Sequence, residues 1–275
     1  MTRIALLQMT SGIDPAANAA TLVEAIHAAK AGRAAMLFTP EMSGLLDRDR
    51  ARAAAHIVDE HDDPVLAAVR AAARDAGLWV HVGSLAVRGA GERLANRGFV
   101  IDDAGEIAAR YDKMHMFDVS LSTGEEWRES AAYSPGSRSV VVETPVGMLG
   151  LSICYDIRFP ALYQALSAAG ATVIAVPAAF TRPTGEAHWA TLLSARAIEN
   201  AAFVVAAAQS GEHDDGRNTH GHSVAIGPWG DMLLDMGTDA GLGFADIDVE
   251  AVGDIRARIP VIDHRRTIPA AEVVR

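Results

Sequence analysis

The chain has 275 residues, half of them hydrophobic, which suits one large α/β domain or two small ones. Its formal net charge of -11 argues against nucleic acid as a partner, because an acidic surface repels phosphate backbones. One cysteine excludes an intrachain disulfide and is typical of a reducing compartment, so we expect a cytoplasmic protein. We see no signal peptide and no uncharged apolar stretch long enough to span a membrane.

Strands alternate with helices in the first third of the chain, as is typical of an α/β fold. Asp14-Pro15 and Asp63-Pro64 each begin a predicted helix, which Gly32 and Gly77 end. Later hairpin patterns favour mixed sheets over purely parallel ones. Strands are predicted over Arg3–Met9, Ala35–Phe38, Leu78–Gly83, Arg97–Asp102, Ile107–Tyr111, Ser139–Glu143, Met148–Ile153, Thr172–Val176, Phe203–Ala208, Ser223–Ile226 and Gly243–Asp248.

The domain organisation is predicted to be simple. The sequence shows no long linker, low-complexity segment or solenoid-like repeat, so we interpret residues 1–275 as one domain. The tail, 260–275, contains the basic His264-Arg265-Arg266 and lacks clear periodicity. A frayed terminus is the simpler interpretation of this tail. The alternative is a C-terminal arm that crosses onto a partner subunit.

Cys154 lies between a predicted strand and a predicted helix. It ends the apolar run Met148–Ile153, and Pro160 then begins a helix that Gly170 ends. We therefore expect the thiol on a strand-to-helix turn, where backbone N–H groups can lower its pKa and form an oxyanion hole. Buried thiols are more often inert packing, so the remaining residues must decide between the two interpretations.

Glu41, Lys113 and Cys154 each follow an apolar strand, and strand ends converge at one edge of an α/β sheet, where ligands bind. A thiol, a carboxylate and an ammonium suit acyl transfer as nucleophile, base and oxyanion partner. The chain has only two lysines, Lys30 and Lys113, so Lys113 is not readily explained as one of many surface lysines. His115 is the alternative partner for the thiol, and spacing alone does not choose between a Cys-His and a Glu-Lys-Cys arrangement.

Longer motifs surround these residues and run through nearly the whole chain. They are FTPEMSG, RYDKMHMFDV, GLSICYDIRFPALY, PAAFTRPTGEAHW, ARAIEN, GHSVAIGPWG and HRR. In content and order they resemble the nitrilase superfamily of carbon–nitrogen hydrolases. The resemblance implies an α/β fold, an α-β-β-α sandwich of four layers with mixed sheets, in a homodimer or higher homo-oligomer. It also implies a Glu-Lys-Cys triad and no metal or cofactor.

The resemblance extends to further site residues. A second glutamate of the family corresponds to Glu129, with Glu125 and Glu126 as neighbouring alternatives. The N–H of Tyr155 would join Lys113 in stabilising the oxyanion. We expect a lysine between two glutamates to keep its proton, and the lysine to favour the thiolate of the cysteine.

Three more residues are predicted to bind the substrate. Arg158, four residues after the nucleophile, would hold a substrate carboxylate, or else pair with Asp156. Phe180 and Thr184 follow the next strand. Phe180 would pack along the substrate chain, and Thr184 would donate a hydrogen bond to its keto-acid end.

Within the superfamily the likeness is greatest to deaminated glutathione amidases and omega-amidases, through KMHMFDV, ESAAYSPG and PAAFTRPTG. The sequence thus predicts a cysteine amidohydrolase that cleaves a small keto-acid ω-amide, with deaminated glutathione as the expected substrate and a thioester intermediate. Alternatives are an omega-amidase on 2-oxoglutaramate-type amides and an N-carbamoyl amino acid hydrolase or nitrilase. A non-enzymatic binding protein is disfavoured because the triad is retained. Ala161, Glu186 and His220 depart from the family pattern and bear on selectivity.

Overall fold

The computed structural model describes residues 1–89, 91–120, 124 and 126–274. Strands and helices are numbered in chain order. The strands are β1 (Thr2–Gln8), β2 (Met36–Phe38), β3 (Trp79–Arg88), β4 (Leu94–Ile101), β5 (Ile107–Asp112), β6 (Asp118–Ser120), β7 (Glu126–Arg128), β8 (Val141–Thr144), β9 (Gly147–Leu151), β10 (Val173–Ala175), β11 (Phe203–Ala206), β12 (Ser210–Glu212), β13 (Asn218–His220), β14 (Val224–Ile226), β15 (Met232–Asp235) and β16 (Gly241–Ile247). The α-helices are α1 (Pro15–Ala31), α2 (Arg50–Ala54), α3 (Pro64–Ala76), α4 (Pro160–Ala168), α5 (Arg182–Asn200) and α6 (Ala251–Arg258).

Within the described residues, the strands form two six-stranded sheets and two short hairpins. The first sheet has the order β16-β1-β2-β3-β4-β5, and its parallel centre, β1 to β3, is flanked by antiparallel strands. The second sheet has the order β15-β14-β11-β10-β9-β8, again with three parallel strands, β9 to β11, in the centre. The expectation of mixed sheets is confirmed.

The two sheets pack face to face, and helices cover their outer faces. Along β1, Ile4 and Leu6 join the core between the sheets, whereas Ala5 and Leu7 join the core beneath α1 and α3. This alternation explains the nearly continuous apolar run of β1, since a strand that is buried on both faces has no polar side. Helices α4 and α5 cover the second sheet through residues such as Leu166 and Leu193. The predicted four-layer α-β-β-α sandwich is confirmed.

The tail of the chain is attached to its own subunit as far as Arg265. Arg256 donates to the carbonyl oxygens of Ala171 at 2.6 Å and Ala201 at 3.1 Å. Arg265 donates to Gln164 O and to Asn200 Oδ1, both at 2.9 Å. These contacts hold the end of the chain across α4 and α5. None of the helices that the structure describes combines the length and hydrophobicity needed to cross a membrane.

Gly83 allows β3 to approach the segment that carries Glu41. A Cβ atom at this position would collide with the carbonyl oxygen of Thr39 and would lie 2.5 Å from both Pro40 C and Pro177 Cβ. Two of these three obstacles are backbone atoms, which cannot swing aside as a flexible side chain can. A glycine is therefore required between the two strand ends from which the site is built.

We expect Gly83→Ala to lower the free energy of unfolding by about 1–3 kcal/mol, because the extra methyl group overpacks this contact. Urea denaturation measures the change. Gly253→Ala is the matched control, because nothing lies within 4 Å of a Cβ there and alanine is the better helix former. A Gly83→Ala protein as stable as the Gly253→Ala protein would contradict the steric argument.

Candidate active site

The three side chains that the sequence singled out meet between the two sheets. Glu41 follows β2, Lys113 follows β5 and Cys154 follows β9, and all three are buried. Lys113 Nζ lies 3.0 Å from Glu41 Oε1, and the thiol of Cys154 is close enough to the Glu41 carboxylate for each group to shift the pKa of the other. A nucleophile thus lies beside a base, and an ammonium lies beside the same base.

Glu129 joins this group from the short 3-10 helix Glu129–Ala131, directly after β7. Its two carboxylate oxygens lie 3.1 and 2.9 Å from Lys113 Nζ, and Oε2 accepts the backbone N–H of Phe117 at 2.6 Å. Glu126 is exposed and lies 3.8 Å from Arg128, and Glu125 lies outside the described residues. Of the two described candidates, Glu129 is the one that contacts the lysine.

Glu41 is held through both its side chain and its backbone. Its Oε2 atom accepts the N–H of Ala179 at 2.9 Å, from the segment that follows β10. Its carbonyl oxygen accepts Gln209 Nε2 at 2.9 Å, and the next residue, Met42, is left-handed with φ 56°. Residues other than glycine rarely adopt this backbone conformation, and those that do are concentrated at functional sites.

Cys154 also has a left-handed backbone, with φ 52°. Its N–H donates to the carbonyl oxygen of Pro177 at 2.9 Å, and the 3-10 helix Cys154–Arg158 begins at this residue. The thiol therefore sits on a sharp turn between β9 and α4, close to the segment that carries Ala179. This is the strand-to-helix turn that the sequence predicts.

Asn96 is a site residue that the sequence did not indicate. Its Nδ2 group donates to Glu41 Oε1 at 2.9 Å and to Glu129 Oε1 at 3.2 Å, so it bridges the two carboxylates. Its carbonyl oxygen accepts the N–H of Lys113 at 3.0 Å. Because Asn96 lies inside β4, only the pairing of β4 with β5 brings it to the site, and a sequence pattern does not reveal that pairing.

Asp156 links the lysine to the nucleophile. Its fully buried carboxylate accepts the Tyr111 hydroxyl at 2.7 Å, the N–H of His115 at 3.0 Å and the N–H of Ile153 at 2.9 Å. Tyr111 and His115 flank Lys113 on either side. One carboxylate, two residues after Cys154, therefore fixes the position of the lysine segment relative to the nucleophile turn.

This geometry bears on the choice between the two partners for the thiol. His115 Nδ1 lies 2.7 Å from Asp156 Oδ1, and the imidazole stacks on the Phe159 ring with centroids 3.6 Å apart. The ring is thus occupied by Asp156 and Phe159, whereas Glu41 and Lys113 are the charged groups that act on the thiol. The structure favours the Glu-Lys-Cys arrangement over the Cys-His arrangement.

Charge interactions set the protonation states of the three central groups. Burial alone would lower the pKa of Lys113, but the carboxylates of Glu129 and Glu41 raise it well above the usual value. Burial opposes ionisation of Glu41, yet Lys113, Cys154 and Asn96 together hold its pKa below the usual value. The lysine is therefore an ammonium and Glu41 a carboxylate, as the sequence led us to expect for the lysine.

Lys113 favours the thiolate, as expected, but the net shift of the thiol pKa has the opposite direction. Burial raises the pKa of Cys154 well above its usual value, and the charge of Glu41 raises it further; Lys113 opposes both effects without overcoming them. Two carboxylates and one ammonium leave the group with net negative charge, which disfavours a thiolate. The resting nucleophile is thus a protonated thiol next to an ionised base, and the proton must move as the sulfur attacks.

A cavity of about 670 Å³ opens onto the three side chains. Tyr155, Phe180 and Thr184 line it, as the sequence predicts for substrate-binding residues. Arg158 is not among the lining residues. Its guanidinium lies 5.8 Å from the Tyr155 ring centroid, 5.6 Å from that of Phe180 and 3.3 Å from His188 Nδ1. It therefore contacts the rings that wall the cavity rather than the cavity itself, and it is not paired with Asp156.

The three departures from the family pattern also lie outside the cavity lining. Ala161 is exposed on α4, Glu186 forms an ion pair with Arg182 at 2.9 Å, and His220 stacks on His222 with centroids 4.6 Å apart. Any influence of these residues on selectivity would thus be transmitted through their neighbours.

Sequence and structure comparisons agree with this architecture. A deaminated glutathione amidase from Yersinia enterocolitica is 42% identical over 270 residues, which are 96% of this chain and 93% of that protein. The crystal structure of the C. elegans NitFhit protein matches with a TM-score of 0.88 and 35% identity, over 96% of this chain and 65% of that longer chain. A glutamate-to-glutamine mutant of an amidase from Nesterenkonia sp. AN1, with acrylamide added to its active-site cysteine, matches with a TM-score of 0.79 and 30% identity, over 94% of this chain and 98% of that chain.

The four-layer sandwich with a cysteine on the turn after a central strand defines a nitrilase-type hydrolase fold. The carbon-nitrogen hydrolase family matches residues 3–257, and the chain belongs to this family. The predictions of the superfamily and of an enzyme that hydrolyses carbon–nitrogen bonds as an amidase are confirmed.

Because the thiol pKa is raised, we expect no thiolate absorbance when pH increases past the ordinary thiol pKa of 9.0. Ultraviolet titration of the native protein against the Cys154→Ala protein measures this directly. In Glu41→Gln the negative neighbour is removed, so the thiolate should appear at lower pH than in the wild type. A wild-type thiolate that forms below pH 9.0 would contradict the assignment of a neutral thiol.

We expect Asp156→Asn to lower kcat with little change in KM, because Lys113 and Cys154 lose their shared anchor. The loss of hydrogen bonds to a charged acceptor should also cost about 1.5–3 kcal/mol of folding stability. Tyr111→Phe is the milder control, since it removes one donor and leaves the carboxylate in place. A folded Asp156→Asn protein with wild-type kcat and wild-type rate of Cys154 alkylation would contradict the anchoring role.

Proposed function

We propose that this enzyme hydrolyses the ω-amide bond of deaminated glutathione, with Glu41, Lys113 and Cys154 as its catalytic triad and Glu129 as a supporting catalytic residue. The observation that carries the proposal is the convergence of a buried thiol, a buried carboxylate and a buried lysine at the end of one cavity, with Lys113 Nζ 3.0 Å from Glu41 Oε1. The substrate rests on the relatives, since the Yersinia enterocolitica protein, 42% identical over 96% of this chain, is a deaminated glutathione amidase.

The proposed reaction begins at the thiol. Cys154 transfers its proton to Glu41 as the sulfur attacks the amide carbonyl carbon, and the carbonyl oxygen becomes an oxyanion. Lys113 and the N–H of Tyr155 stabilise that oxyanion. Glu41 then protonates the departing nitrogen as the carbon–nitrogen bond breaks, which leaves a thioester on Cys154.

The second half of the reaction reuses the same groups. Glu41 takes a proton from water as the water oxygen attacks the thioester carbon. The carbon–sulfur bond breaks, Glu41 returns the proton to the sulfur, and the keto acid leaves. Glu129 receives a role in this scheme through Lys113, because its two contacts with Nζ fix the ammonium next to Glu41. No metal or cofactor is required for either half.

The size of the cavity supports a substrate larger than a simple ω-amide. A volume of about 670 Å³ is in the range of sites for drug-sized molecules, and 2-oxoglutaramate would leave much of it empty. Thr184 and Phe180 line the cavity after β10, where they suit the keto-acid end of the substrate. Omega-amidase activity, with ammonia as leaving group, is the second candidate because it shares this acyl part.

The proposal is tested by assaying deaminated glutathione, 2-oxoglutaramate, an N-carbamoyl amino acid and a nitrile side by side. We expect the highest kcat/KM on deaminated glutathione, no activity in Cys154→Ala, and a loss of roughly 10²–10³ in kcat in Lys113→Met. His115→Ala should be less harmful to kcat than Lys113→Met. Good activity only on the carbamoyl compound or the nitrile would overturn the substrate class.

We further propose a cytoplasmic homodimer, in which the single domain of residues 1–275 carries its C-terminal arm, 260–275, towards the partner. Ile198 on α5 and Trp229 are large exposed apolar side chains that would be covered in such an assembly. Trp189 and Leu193, by contrast, are buried in the core of their own subunit. Sedimentation of the wild type should give the mass of a dimer, and a monomer at micromolar concentration would reject it.

A further inference from the structure

A set of arginines surrounds the exposed side of the cavity, although the chain as a whole is acidic. Arg48 and Arg217 share the carboxylate of Asp215, at 3.9 and 2.7 Å respectively. The Arg217 guanidinium lies 5.2 Å from the centroid of the Trp127 ring. Arg48, Arg217 and Trp127 all line the cavity, so this chain of contacts crosses its mouth.

The chain of contacts is continued by Arg128, next to Trp127 in sequence. The carbonyl oxygen of Arg128 accepts an N–H of the Arg50 guanidinium at 3.0 Å, and Arg50 is two residues from Arg48. We call Arg48, Arg50, Arg128 and Arg217 the arginine ring. All four line the cavity, and they come from three separate segments of the chain.

The arginine ring is more positive than the floor of the cavity, which consists of Glu41, Lys113 and Glu129. Its four guanidinium groups face three described carboxylates: Asp215, Glu126, which lies 3.8 Å from Arg128, and Asp47, which also lines the cavity and pairs with Arg52. Among the described residues, Arg50 forms no ion pair, and its guanidinium donates one hydrogen bond, to the carbonyl oxygen of Arg128. The floor carries the opposite sign, since Glu41 and Glu129 outnumber Lys113. An anionic group on the substrate is therefore attracted to the mouth and repelled from the floor.

The proposed reaction fixes which end of the substrate points to the ring. Glu41 protonates the departing nitrogen, so the leaving group lies on the side of Glu41. The chain that follows Glu41 lines the cavity through Met42 and Leu45 and reaches the ring at Arg48 and Arg50. A leaving group that extends along this wall meets the guanidinium groups at its far end.

On the basis of the proposed function, we infer that the arginine ring is a subsite for the terminal carboxylate of the leaving group, with Arg50 as its principal donor. A carboxylate can accept two parallel N–H groups from a guanidinium, which supplies both affinity and orientation. The subsite would select amides whose leaving group is a short acidic peptide over amides that release ammonia.

The test compares two substrates in two variants. Deaminated glutathione and its C-terminal amide differ only in the leaving-group carboxylate, and Arg50→Met removes the guanidinium while keeping much of the side-chain volume. We expect Arg50→Met to raise KM for the acid about tenfold, with kcat retained and with little change for the amide or for 2-oxoglutaramate. Arg70→Met is the matched control, since Arg70 pairs with Glu106 at 2.8 Å and neither residue lines the cavity.

The outcomes separate this inference from the proposed function. Equal kinetics of wild type and Arg50→Met on the acid, or equal losses on acid and amide, would overturn the subsite while leaving the reaction intact. Absence of wild-type activity on deaminated glutathione would overturn the proposed function instead. Calorimetric titration with cysteinylglycine, the leaving group alone, then decides the subsite: it stands if Arg50→Met weakens this binding about tenfold relative to Arg70→Met, and falls if it does not.

Discussion

The carboxylate of Asp156 is the contact on which the arrangement of the site depends. It lies in the second sheet's nucleophile turn, yet two of its hydrogen-bond donors, Tyr111 and His115, come from the first sheet and the segment after it. A buried charge is costly unless its acceptor sites are filled, and here they are filled by donors from both halves of the molecule. The hydrogen bonds that stabilise the Asp156 carboxylate thus also fix the position of Lys113 relative to Cys154. The apolar core holds the two sheets together but does not by itself fix their relative position. The hydrogen bonds to Asp156 fix that position next to the site.

The site is electrostatically graded from floor to mouth. At the floor, Lys113 is shared by Glu41 and Glu129, and Asn96 joins the two carboxylates through a single amide group. This arrangement keeps the base ionised and the thiol protonated, so attack and proton transfer are coupled. A floor that carries net negative charge also repels the carboxylic acid product once it ionises, which favours its release. The positive mouth therefore acts on the substrate as it binds, and the negative floor acts on the acid product as it leaves.

Much of the fold and of the triad could be predicted because strand ends are readable from sequence. An apolar run followed by a single polar residue places Glu41, Lys113 and Cys154 at the edge of a sheet, and the motifs around them identify the family. Asn96 escaped notice because it lies inside a strand, where its role arises from pairing with β5. The thiol pKa was mispredicted because burial and contact with Glu41 are not local properties of a sequence. Arg158 lies outside the cavity lining, beside Tyr155, Phe180 and His188, and spacing from the cysteine does not reveal these neighbours.

The contacts that hold the base have a consequence for synthesis of the chain. The backbone of Glu41 is held by Gln209, 168 residues further along the sequence, and its carboxylate by the N–H of Ala179. A ribosome adds both of these residues after Cys154, so a nascent chain contains its nucleophile before the base can be oriented. The thiol is therefore a chemically ordinary cysteine until residues from the second half of the chain have taken their places around Glu41.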